Sequence, residues 1–237
     1  MAKATVPSYV TSDGITVKLT ATSSMPCNSW SLPAEKACPA SKLSVRKLGK
    51  NAVCQSCYAM KGFYRMPNVK DVQGKRFAWV LSSLVKDGGS EFVEALVRMI
   101  GDDVRHRGEP IFRVHDSGDL FNHAYVAAWG RIADALPNVR FWIPTRSHSL
   151  PLLLESIRAL AARPNVVVRP SALAFDELPP VVDGLAAGTT VIRSLPVLDS
   201  LPGVRLCPKT DPTDGRKACG SCRTCFEGTT PVAYLEH

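Results

Sequence analysis

"PIFRVHDSGDLFNHAYVAAWGRIADALPNVRFWIPTRS", residues 110–147, reads as strand, polar turn, helix and strand in succession. "PIFRVH" (110–115) and "VRFWIP" (139–144) are apolar runs of strand length. Between them Tyr125, Trp129, Ile132, Ala133 and Leu136 recur at helical spacing and share one face. Asn122 is placed to cap that helix and Pro137 to stop it. The alternation continues downstream. A helix opens at Ser149 with Leu153, Ile157, Leu160 and Ala161 on one stripe, followed by strands at "NVVVRP" (165–170) and "TTVIRS" (189–194). Upstream, residues 68–85 and 90–100 read as helices. Strands alternating with helices of this length predict an α/β fold built from βαβ units on a mainly parallel sheet. Its core is either a partial (β/α) barrel or an open parallel sheet, flanked by irregular, Cys-rich N- and C-terminal segments.

The chain has 237 residues, 45% hydrophobic and 21% charged, enough for one sizeable core. Three stretches are expected within one compact domain. Residues 1–66 form a basic, Cys-containing N-terminal segment, 67–195 the βα core, and 196–237 a Cys-rich, cluster-binding C-terminal segment. "MAKATVPSYVTSDG" has no apolar signal-peptide region, and no apolar run is long enough to cross a bilayer. A cytoplasmic protein with no membrane partner is expected. The net charge of +8 is uneven: residues 1–76 hold 12 Lys/Arg against 3 Asp/Glu, and the rest hold 17 against 18. A surplus of this kind suits nucleic acid or a host protein as a partner of the basic first third, or it offsets the charge of ligating thiolates. No helix-turn-helix pattern, zinc-finger His pair or aromatic single-strand platform accompanies it.

Polar residues follow every predicted strand. The first runs into His115-Asp116-Ser117-Gly118-Asp119, the second into Thr145-Arg146-Ser147-His148, the third into Arg169-Pro170-Ser171 and the fourth into Arg193-Ser194. Ligands of parallel sheets bind at these ends. Asp119, His115 and Arg146 are therefore the candidate catalytic residues. Ser117, Gly118, Asp119 and Arg169 are the candidate cofactor-binding residues, with Arg146 or Arg169 holding an anionic group.

Eight cysteines in a reducing compartment point to metal rather than disulfides. Cys219, Cys222 and Cys225 form a C-x2-C-x2-C run, and Cys207-Pro208 supplies a remote fourth thiol. That is the ferredoxin-like way of holding a [4Fe-4S] cluster, with zinc as the alternative. In the N-terminal half, Cys38, Cys54 and Cys57 could hold a second cluster with one iron open. Alternatively, Cys54 and Cys57 join a tail pair in one zinc site. Cys27 is expected to be buried as a small apolar side chain.

"SLPAEKACPA", "CQSCYA", "HDSGDLF", "FWIPTRS", "CPKT…CGSCRTCF" and "VAYLEH" together resemble, over about residues 30 to 237, a phage-encoded family named after mycobacteriophage gene product eighty-eight. The resemblance implies a phage origin and expression in the cytoplasm of a bacterial host. It carries no established reaction. The gap between Cys38 and Cys54 is longer than the family pattern, which leaves open whether Cys38 shares a site with Cys54 and Cys57. The order of Cys54/Cys57, Ser117-Gly118-Asp119 and the tail cysteines is also similar to radical S-adenosylmethionine enzymes. That likeness implies S-adenosylmethionine as a cofactor, gripped through its amine by the Gly-acid motif. The close cysteine triplet of those enzymes is missing here.

Overall fold

A computed structural model describes residues 6–236. His237, the last residue of the "VAYLEH" motif, lies outside the described residues. The chain opens with an antiparallel pair, β1 (Ser8–Val10) and β2 (Thr16–Lys18), then enters β3 (Ser29–Trp30). Helices α1 (Ala34–Ala37), α2 (Pro39–Leu48), α3 (Pro67–Lys86) and α4 (Ser90–Arg107) separate β3 from β4 (Ile111–Val114). There follow α5 (His123–Ala135), β5 (Arg140–Thr145), α6 (Pro151–Ala161) and β6 (Val166–Pro170). The tail adds β7 (Thr189–Ile192), β8 (Arg205–Leu206), α7 (Thr224–Glu227) and β9 (Val232–Leu235).

The fold is α/β. β3, β4, β5 and β6 lie side by side in that order and all pair in parallel. β7, β9 and β8 form a second parallel sheet, joined to the first by a parallel bridge from Ser171 to Thr189. The helix opening at Ser149 in the sequence starts at Pro151, after a short 3-10 turn over Ser147–Ser149. Asn122 caps α5 as expected, its Oδ1 accepting from the Tyr125 N–H at 2.8 Å.

Side chains alternate across the first sheet. Trp30, Phe112, Val114, Phe141, Ile143, Val166 and Val168 pack with the apolar faces of α3, α4, α5 and α6 in one core. Arg113, Trp142 and Pro144 face the other way and line a cavity. The outer segments carry more regular structure than their weak periodicity suggests. Residues 1–66 contribute α2 and the edge strand β3, and the tail contributes two strands. Strands of two residues, as β3 and β8 are, leave too short a pattern for periodicity to register.

Gly118 is where the turn after β4 closes. Its φ is +94°, and a Cβ there would stand 2.8 Å from Leu32 Cβ. Gly118→Ala is expected to cost about 1–3 kcal/mol, read as a lowered midpoint in denaturant unfolding, because both the backbone region and the contact forbid a side chain.

Candidate functional site

Asp119 sits in that turn, buried, and joins three parts of the chain. Its Oδ1 accepts from the Thr145 hydroxyl at 2.6 Å and from the Leu120 N–H at 2.7 Å, and its Oδ2 accepts from the Arg146 N–H at 2.9 Å. Its own N–H donates to the Ala37 carbonyl at 3.0 Å. The carboxylate therefore fixes the end of β5, while the backbone fixes the end of α1 and so Cys38, which begins α2. Burial raises its pKa, and the hydrogen bonds from Thr145, Arg146 and Leu120 oppose the rise.

Cys54 lies in a 3-10 turn over Val53–Ser56, and Cys57 follows it. This loop is docked over the strand ends by the Val53 N–H on the Leu173 carbonyl, 2.9 Å, and by an antiparallel bridge from Ala52 to Ala174. The fifteen residues between Cys38 and Cys54 are taken up largely by α2 and a 3-10 turn, which return the chain to the neighbourhood of Cys38. Cys38 is close enough to feel the charge of Asp119, Cys57 and Cys54. Burial first, then these three, push its thiol pKa well up, with Arg146 opposing. Cys57 is raised by burial and by Cys54, against Arg146 and backbone donors.

The tail thiols gather separately. Cys207 ends β8, its N–H on the Ala233 carbonyl at 2.8 Å, and the Cys219 N–H donates to the Ser24 carbonyl at 2.9 Å. Cys225 lies in α7, which Arg140 and Arg169 fasten to the sheet through the Phe226 and Thr224 carbonyls. Burial raises the pKa of Cys219, joined by the charges of Cys207 and Cys222 and opposed by Lys209 and Arg113. Burial likewise raises Cys225, with Cys207 and Cys219 adding and the Tyr234 hydroxyl and Arg169 opposing. For Cys222 burial is outweighed, and hydrogen bonds from Thr224 with the charges of Arg205 and Arg216 leave the pKa lowered. All eight cysteines are free of disulfides.

Both sets open onto one cavity of about 1560 Å³. Cys38, Cys54 and Cys57 line it together with Cys207, Cys219 and Cys225; Cys222 stands beside its tail partners outside the lining. Arg113 lies between the sets. Its guanidinium sits 4.9 Å from the Trp142 ring centre, donates to the His115 carbonyl at 2.9 Å and reaches the Tyr58 hydroxyl at 3.3 Å. Among the described residues, no three His, Cys, Asp or Glu side chains converge as ligands of a single metal ion. The thiols stand around a space rather than a point.

The other predicted site residues divide. Arg146 lines the cavity; its Nε donates to the Ala172 carbonyl at 3.0 Å, and its two terminal nitrogens have no hydrogen bond among the described residues. The Ser117 hydroxyl donates to the Leu32 carbonyl at 2.8 Å. Arg169 is fully buried and outside the lining. Its fork donates to the carbonyls of Ala187, Thr224, Gly188 and Thr230, which makes it a clamp between β6 and the tail. His115, 2% exposed, has a φ of +69°. It is among the residues lining the cavity; its ring stacks on Tyr125, Nε2 lying 2.8 Å from the Tyr125 hydroxyl, with no partner for Nδ1 among the described residues. Burial drives its pKa down to about 3, Asp116 opposing and Arg113 assisting. Cys27 is buried as expected, packed with Trp142 and Phe226, its pKa pushed up by burial to about 12.

Fold and site define an α/β protein in which a parallel sheet carries a thiol-lined cavity on one face. The chain belongs to the family described as Gene product 88, which it matches over residues 7–228. It is similar to the Gene 88 protein of Mycobacterium phage L5, 38% identical over 65 residues, and to that of Mycobacterium phage D29, 32% identical over 63 residues. The aligned stretch is 27% of this chain in each case, and 27% and 26% of the two relatives. No solved structure matches. Among the described residues, no helix is long and apolar enough to cross a membrane.

Asp119→Asn turns one acceptor toward a donor and is expected to lower unfolding stability by about 1–3 kcal/mol. A stability equal to wild type would show that the three hydrogen bonds are idle. For His115 the direction follows from proton counts. Below pH 6.5 the unfolded histidine binds a proton that the folded one refuses until about pH 3. Stability should therefore fall with falling pH in that window by about 1.4 kcal/mol per unit, and His115→Gln should flatten the slope measured between pH 6 and 4.

Proposed function

We propose that this chain is a phage iron–sulfur protein of the bacterial host cytoplasm, holding [4Fe-4S] clusters against a cavity for a small organic ligand. One observation carries the reading: six cysteines from the two ends of the sequence, Cys38, Cys54 and Cys57 with Cys207, Cys219 and Cys225, line a single cavity without disulfides, with Cys222 beside the tail three. Four tail thiols match the ligand count of a cubane. Three thiols at Cys38, Cys54 and Cys57 leave one iron position facing the cavity. Cations stand beside both sets and offset thiolate charge: Arg146 beside Cys38 and Cys57, Lys209 and Arg113 beside Cys219, Arg205 and Arg216 beside Cys222.

A bound cluster supplies one-electron chemistry at the cavity wall. The chain's own residues orient the ligand. Arg146 offers its two terminal nitrogens, the right pair for a carboxylate such as that of S-adenosylmethionine or for an anionic substrate. Asp119 and Ser117 act by holding the wall, since their polar atoms already serve Thr145, Arg146, Leu120 and Leu32.

Anaerobically purified protein is expected to carry about eight irons per chain with matching sulfide, and about four in Cys54→Ser. Cys222→Ser should lose iron and melting temperature together, because the tail set also fastens β8 and α7. Colourless, iron-free protein that stays folded, or zinc alone, contradicts the reading.

A further inference from the structure

Beside the thiol cavity lies a second, smaller one of about 280 Å³. The two are contiguous, sharing Ala34, Glu35, Ala59, Met60, Tyr64 and Gln73 in their walls. Three cations line the smaller space: Lys36 of α1, Arg65 before α3 and Lys70 in α3, against one acid, Glu35. None of the three side chains has a hydrogen bond or ion pair among the described residues; the ion pair on the neighbouring turn of α3 joins Lys75 to Asp71 instead. Like charges gathered this way repel unless an anion joins them.

Gln73 gives an independent sign of a ligand. It is only 5% exposed, lies where the two cavities meet, and its side-chain amide has no hydrogen-bond partner among the described residues. The residue is nearly buried while its amide opens onto the cavity, so it offers an uncommitted donor and acceptor to whatever occupies the space. Gly74, next along, keeps the pocket open: a Cβ there would meet nothing within 4 Å. α3 begins at Pro67 with no side-chain cap and no acidic residue in its first turn, so its free N–H groups add to the positive potential.

We propose that this side pocket is a phosphate site. Lys36, Arg65 and Lys70 hold the phosphoryl oxygens, the Gln73 amide donates a further hydrogen bond, and the ligand's organic part passes Tyr64 into the thiol cavity. The ligand class is a phosphorylated small molecule such as a nucleoside monophosphate. A space of about 280 Å³ takes one phosphoryl group and not a run of nucleic-acid backbone. The proposal goes beyond the iron–sulfur reading and does not depend on it.

The test is calorimetric titration of the full-length, anaerobically purified protein with inorganic phosphate and with adenosine monophosphate, at an ionic strength held constant with chloride. Saturable one-to-one binding is expected, tighter for the nucleotide than for phosphate. Arg65→Gln should weaken it about tenfold or more by removing a charged, two-pronged donor. Gly74→Leu should abolish it by filling the pocket while favouring the helix, so that loss of fold is not the cause. Lys47→Gln, on α2 outside both cavities, should leave it unchanged. The absence of saturable binding, full binding in Gly74→Leu, or an equal loss in Lys47→Gln overturns the proposal. So does a single-stranded oligonucleotide that binds more tightly than the nucleotide and is weakened equally by Arg65→Gln and Lys47→Gln, which would make the face a general nucleic-acid surface. Iron counted in the same samples separates failure here from failure of the cluster reading.

Discussion

A single buried residue, Asp119, joins the pieces from which the cavity is made. Through its carboxylate it holds the end of β5, and through its N–H it holds the end of α1, where Cys38 begins the next helix. The glycine before it closes against Leu32 with no room for a side chain. Remove that junction and the turn after β4, the strand end at Thr145 and the thiol at Cys38 lose their common reference. The same carboxylate lies close enough to Cys38 to raise its pKa, so the tie that positions the thiol also disfavours its anion. Arg146, whose N–H is itself one of Asp119's partners, supplies the opposing charge.

The tail solves a matching problem differently. β9 lies between β7 and β8, so the last strand of the chain is central to its sheet and the Cys207 end of β8 is fixed from within. Arg169 then clamps the stretch before β7, α7 and the loop before β9 to β6 through four backbone carbonyls, a role suited to a planar, many-donor side chain. The two thiol sets thus reach one cavity from different parts of the chain, with Arg113 and Trp142 in its wall. Their gathering is a consequence of topology rather than of local sequence.

The parts legible in sequence were those with local, repeated signals. β4, α5, β5, α6 and β6 follow from apolar runs, a helical stripe and the Asn122 cap, and the burial of Cys27 follows from its distance from any ligand-like run. β3, β8 and β9 were not legible: β3 and β8 are two residues each, and β9 is defined by its pairing with β7 and β8. The grouping of Cys38 with Cys54 and Cys57 was offered by the C-x2-C run and one upstream cysteine, and was left open by the fifteen residues between them, which α2 and a 3-10 turn take up. Arg169 and His115 read as functional because they follow strands. The structure gives Arg169 to backbone carbonyls, and a left-handed backbone turns the His115 ring back toward α5. Gln73 gave no signal at all, since an unpaired amide is visible only once its surroundings are.

The most direct test is X-ray diffraction from anaerobically grown crystals, with data on both sides of the iron absorption edge. The account predicts compact iron density within bonding reach of Cys207, Cys219, Cys222 and Cys225, and a second such density against Cys38, Cys54 and Cys57. Cysteines bridged to one another, or a map with no iron signal between them, would contradict it.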